Sequence, residues 1–112
     1  MKGYFMAIVV FVTIPQNDAQ NLSKMLLEEK VCACVNIIKD VDSFFWWEGK
    51  IDSSKEALLI IKTKESLFPK LMRLILNNHP YSVPEIISFK IDQVYQPYLE
   101  WINRTVSAEP YK

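Results

Sequence analysis

Few side chains in this sequence can do chemistry. They are two cysteines, one histidine, and the charged and aromatic residues around them. Cys32 and Cys34 stand one residue apart at the start of a β-rich run. On an extended strand, residues two apart share a face, so both thiols would meet one soft ion such as Cu(I). The same pair also reads as two small buried apolar groups. His79 opens the segment His79-Pro80-Tyr81-Ser82-Val83-Pro84-Glu85, which holds an imidazole, a phenol and a carboxylate. Its two prolines fix the backbone, so little ordering cost remains for binding. Lys62 ends an apolar run, and Trp46 and Trp47 sit together in an aromatic cluster. Strand ends and subunit boundaries collect pockets. The expected ligand-binding set is Lys62, His79, Tyr81 and Glu85, with Trp47 from a neighbouring copy as a wall. Its occupant would be a small anion, a metabolite or a metal ion. The expected metal contacts are Cys34 and His79.

Other chemistries lack their parts. With one histidine, the chain alone cannot build a multi-His zinc site, and no CxxC or HExxH pattern exists. Two glycines leave no GxGxxG or phosphate-cradling loop. No serine stands in an elbow motif, so hydrolytic catalysis has no constellation. The two arginines, Arg73 and Arg104, fall in predicted helices, away from any phosphate-holding pair. The reading is therefore non-enzymatic and requires no cofactor. A small enzyme with its site in a cleft between subunits is the weaker alternative.

These residues need elements to place them. Tyr4 to Thr13 is almost continuously apolar, as in a strand covered on both faces. Asn17 or Asp18 suits the cap of a helix running to about Lys30. Val35 to Trp47 and Glu56 to Thr63 form a long hairpin, with Gly49 at the reversal. Ser66 suits the cap of a second helix, with Pro69 in its first turn and Phe68, Leu71, Met72 and Ile75 as its buried stripe. Ile86 to Asp92 alternates, with Ile87, Phe89 and Ile91 expected inward on an edge strand. Pro97 is expected as the first residue of a last helix, which buries Tyr98, Trp101, Ile102 and Val106.

The order β-α-β-β-α-β plus a C-terminal helix is the α+β, ferredoxin-like split βαβ arrangement, expected as one domain over residues 1–112. Both right-handed crossovers put their helices on one face of the sheet. The central strands are nevertheless apolar on both faces. Leaving about four side chains of the first strand in water forgoes ~6–12 kcal/mol, so the second face should be buried against further copies. Thirteen basic and 13 acidic residues cancel, which disfavours nucleic acid and anionic membrane as partners. The N-terminal apolar run is too short to span a bilayer and lacks a small-x-small cleavage site, so a cytoplasmic protein with reduced thiols is expected.

Taken together, these residues resemble the CutA family of divalent-cation-tolerance proteins. The resemblance rests on Glu-Glu-Lys-x-x-Ala-Cys-Val-Asn-Ile (Glu28 to Ile37), Phe-x-Trp-Glu-Gly-Lys-Ile (Phe45 to Ile51), Ile-Lys-Thr (Ile61 to Thr63), His-Pro-Tyr-x-x-Pro-Glu-Ile (His79 to Ile86) and Tyr-Leu-x-Trp (Tyr98 to Trp101). It implies a homotrimer similar in shape to the PII signalling proteins. It also implies copper or another divalent metal ion as a ligand, bound weakly, in a response to metal ions. Cys34 matches the family motif, whereas Cys32 stands where relatives have a small apolar residue. Many members carry a cysteine at the end of the first strand; here Val12-Thr13-Ile14-Pro15 has no thiol.

Overall fold

The computed structural model describes residues 6–106. Strand β1, Ala7–Pro15, sets the frame. Ile8, Val10, Val12 and Ile14 are sealed on one side, while Val9, Phe11 and Thr13 on the other are half-buried. Tyr4 and Phe5, expected in this strand, and the tail from Ser107 lie outside the described residues.

The chain continues through α1 (Ala19–Glu28), β2 (Cys34–Trp47), β3 (Lys50–Lys64), α2 (Phe68–Asn78), β4 (Ile86–Lys90) and α3 (Gln96–Thr105). One four-stranded antiparallel sheet runs in the order β2-β3-β1-β4, the ferredoxin-like arrangement expected from the element order. Leu22 and Leu26 of α1, with Leu71 and Ile75 of α2, pack on Val10, Val12, Leu59 and Ile61. Both crossover helices therefore cover one face.

The opposite face is closed only at one end. There Ile102 and Val106, at the α3 end of the chain, pack on Ala7, Ala33 and Leu67, with Tyr98 and Trp101 beside them. The rest of that face carries Val9 and Phe11 of β1, Leu58, Ile60 and Lys62 of β3, Cys34, Asn36 and Ile38 of β2, and Ile87 and Phe89 of β4.

Several local expectations are corrected. Neither Asn17, Asp18 nor Ser66 caps a helix with its side chain. Each helix is instead entered through a 3-10 turn, Gln16–Asp18 and Glu65–Leu67, which ties the orphan N–H groups into backbone bonds. Helix α1 stops at Glu28, because Lys30 turns the chain at φ 60. Pro97 is not the first helical residue; Gln96 is. Ile87 and Phe89 are about half exposed, since the face they join is the uncovered one.

Strand β2 matches its expected run to within one residue, whereas β3 starts at Lys50, six residues before its apolar run. The hairpin turns on Glu48 (φ 50) and Gly49 (φ 79), a two-residue loop with both φ positive, as a type I′ turn requires. Its outer half, from Val41 to Glu56, projects as an arm and gives the molecule extents of 53 × 29 × 24 Å. A bulge between Ile38 and Val41 marks the base, where Asp40 adopts φ 59 and its N–H donates to Gln16 Oε1 at 2.6 Å.

Candidate functional site

Two polar clusters lie at different positions on the open face. The first is tied to the loop after α2. His79 is nearly sealed. Its Nε2 lies 2.8 Å from the Thr13 carbonyl oxygen, and its Nδ1 accepts the Tyr81 N–H at 3.1 Å. A carbonyl only accepts, so Nε2 carries the proton and Nδ1 spends its lone pair on Tyr81. The Tyr81 ring packs 4.8 Å from the imidazole, tilted at 50° to it, and its hydroxyl donates to Glu56 Oε2 at 2.7 Å. Burial, then the bond to Glu56, hold the Tyr81 phenol above its ordinary range. The Thr13 hydroxyl donates to Glu85 at 3.5 Å. His79, Tyr81 and Glu85 are thus brought together, with Thr13 and Glu56, which sequence reasoning did not single out. Their signal is register: Glu56 faces Pro15 in the last pair of the β1–β3 ladder, and Thr13, paired with Leu58, stands two residues earlier on the same face.

The second cluster surrounds Lys62. That residue pairs with Cys34 on one side and Val9 on the other. Its ammonium contacts Asn36 Oδ1 and lies 3.8 Å from Cys34 Sγ. The Tyr98 phenol, on α3, also meets Cys34, and burial comes first among the causes that raise its pKa. Thr13 lies four positions along β1 from Val9, about 13 Å at the usual strand rise. Within one chain, Lys62 therefore does not share a site with His79, Tyr81 and Glu85.

Trp47 does stand near the first cluster, on the chain's own arm and not only on a neighbour's. A cleft of ≈ 850 Å³ between arm and loop is lined by Phe45, Trp47, Asp52, Glu56, Tyr81 and Glu85, among others. All four arm aromatics, Phe44, Phe45, Trp46 and Trp47, line this cleft, and the bulge sets which way each points. Before it, even-numbered residues of β2 share the open face with Lys62; after it, Val41 pairs with Glu56, so Phe45 and Trp47 continue that face. Phe44 and Trp46 point the other way and are about three-quarters exposed.

The two thiols do not converge. Cys32 precedes the strand, so two-residue alternation does not reach it, and it packs with Val31 into the helix-side core. Burial, with Cys34 nearby, pushes its pKa up to about 12, which disfavours the thiolate a metal needs. Cys34 is half-buried beside Lys62. With both ring nitrogens engaged, His79 offers no free lone pair. Among the described residues no group of three or more His, Cys, Asp or Glu side chains could hold a metal ion, and no helix is long and apolar enough to cross a membrane.

Comparison with known proteins agrees with this architecture. The family described as CutA1 divalent ion tolerance protein matches residues 8–105. The chain is 44% identical over 100 residues to the chloroplastic protein CutA 1 of Oryza sativa, covering 88% of this chain and 56% of that protein. It is 42% identical over 96 residues to the divalent-cation tolerance protein CutA of Pyrococcus horikoshii, covering 85% and 93%. It thus spans about half the length of the rice relative and nearly all of the archaeal one. The crystal structure of CutA1 from Oryza sativa superposes with a TM-score of 0.90 at 41% identity, over 92% of this chain and 95% of that one. A periplasmic CutA of Archaeoglobus fulgidus gives 0.88 at 37%, over 91% and 100%.

Proposed function

The chain belongs to the CutA1 divalent ion tolerance family, and on that footing we propose that it acts without catalysis, as a cytoplasmic homotrimer that responds to divalent metal ions. The observation that carries this reading is the open sheet face. Phe11 and Phe89 meet edge to face at 5.0 Å there, and Ile38, Ile87 and Phe89 stand about half exposed beside them. An apolar face of that kind marks an interaction surface. The occupant in this reading is further copies of the chain, joined head to tail into a closed ring, with the arm reaching across to a neighbour. Relatives are named for divalent-cation tolerance and not for an enzymatic reaction. Copper binding, in this reading, is weak and not very selective, through Cys34. A single half-buried thiol attracts a soft ion, but the Lys62 ammonium beside it opposes a second positive charge.

Light scattering at micromolar concentration tests the assembly, with three chains per particle expected; a well-behaved monomer overturns it. Isothermal titration with copper tests the metal. Cys34→Ala is expected to weaken binding and Cys32→Ala to leave it unchanged; unchanged binding in both removes the thiols from the account. The cleft between arm and loop favours a second reading, a PII-like small-metabolite-binding trimer. A metabolite co-purifying with the protein, and lost in Trp47→Ser, would favour it over the metal.

A further inference from the structure

Lys62 differs from the other lysines whose partners are seen on the surface. Lys55 lies 2.9 Å from Asp42, and Lys90 lies 3.9 Å from Glu65. Lys62 is half-buried on the open face next to the end that α3 closes, and its contacts are the neutral Asn36 oxygen and the Cys34 sulfur. Among the described residues no carboxylate pairs with it. A partly desolvated ammonium without a counter-charge is costly, and its third N–H has no acceptor. The Tyr98 phenol stands on the α3 side of the same spot, and Val9 floors it from β1. From this geometry we propose that Lys62, Asn36, Cys34 and Tyr98 form a binding site for a small oxyanion, a carboxylate or a phosphate. The anion takes the free N–H of Lys62 and displaces the Cys34 sulfur as the partner of the phenol O–H, and its body lies along the apolar face.

The inference goes beyond the metal and assembly readings, although Lys62 lies on the face that the assembly reading covers with further copies and Cys34 is the thiol of the metal reading. It needs only that the notch beside α3 stay open to a small molecule. Cys34, 3.8 Å from the ammonium, is a built-in reporter of occupancy. Cys32 is sealed, with its pKa pushed up to about 12, and stays silent.

Alkylation of the native protein by iodoacetate is compared with alkylation by neutral iodoacetamide, with 2-mercaptoethanol as the reference thiol. A carboxylate seated on Lys62 presents its CH2–I carbon to the sulfur. The iodoacetate-to-iodoacetamide rate ratio at Cys34 should therefore exceed the reference by about tenfold, the order expected of one ion pair near a surface. Acetate and inorganic phosphate should each slow the iodoacetate reaction saturably, and their relative strength tells carboxylate from phosphate. Lys62→Gln should return the ratio to the reference. A reference-like ratio in the native protein, with no protection by either anion, overturns the site. So does a Cys34 unreactive to both reagents, which would show the notch closed, with the Lys62 charge serving a contact between copies.

Discussion

His79 shows how a residue suited to chemistry becomes structural. Its imidazole links the Thr13 carbonyl to the Tyr81 N–H, pinning the loop to the end of β1. His79→Ala should cost about 1–3 kcal/mol in urea unfolding, because two buried backbone groups lose their partner. The same variant should leave the copper isotherm unchanged; weakened copper binding would return the imidazole to the metal account. Cys32 makes a prediction about pH. Its thiol is raised from 9.0 to about 12, by burial first and by Cys34 second. Above pH 9 the unfolded chain gives up this proton while the native chain keeps it. The contribution is therefore complete below pH 9 and is lost as pH rises to about 12, on the order of a few kcal/mol. Tyr81 and Tyr98, also raised, add losses that begin higher. Cys32→Ala should be about 1 kcal/mol less stable at neutral pH and show a flatter alkaline limb from pH 9 upward, read by thermal melts across pH. An unchanged limb would mean that another group titrates there. Residue types were legible in the sequence at this scale. Which nitrogen or sulfur was already occupied was not, because backbone partners 66 positions away decide it.

The elements were mostly legible because hydrophobic period and turn residues agree. Apolar alternation located the strands, and Gly49 located the reversal. The 3-10 entries into α1 and α2 were missed because a good capping side chain in the right place does not force a capping bond. The bulge was missed for a stronger reason: an alternation rule counts through it and assigns Phe44 and Trp46 to the wrong face. At the turn, Gly49 has open space where a Cβ would go but holds φ at +79. Gly49→Ala should therefore cost about 1–2 kcal/mol through backbone strain alone. Glu48→Asn, which suits a positive φ better, should stabilise slightly. Thermal melts of the pair test the turn assignment, and a neutral Gly49→Ala would contradict it. Replacing Trp46 and Trp47 together with Ser should weaken assembly if the arm is an anchor. A variant that keeps its particle mass and melting temperature would make the aromatic tip a free surface.

For the whole molecule, the strongest signal in the sequence was an excess: more apolar strand surface than two helices can cover. The structure keeps that excess, trimmed at one end by α3. The sequence could not say how much of the face α3 takes, since α3 and a docked copy would bury the same residue types. Ile60 pairs with Phe11 at the centre of the open part and is only half-buried. Ile60→Lys should leave the helix-side core intact, with native-like circular dichroism, yet drop the particle towards one chain. An unchanged particle mass would move the interface elsewhere.

Strand β2 is also an outer strand of the sheet along all 14 of its residues. Lys39, Asp40, Asp42 and the bulge guard its inner half, but the stretch from Phe44 to Trp47 carries no charge and a free row of backbone donors and acceptors. On the proposed assembly, a newly folded chain is thus a template before it is a subunit. Correct docking and rival strand pairing both draw on that row, and both speed up as chains become more crowded. Recovery from urea should then peak at an intermediate protein concentration, bounded by lone chains at high dilution and by β-rich aggregate at the other extreme.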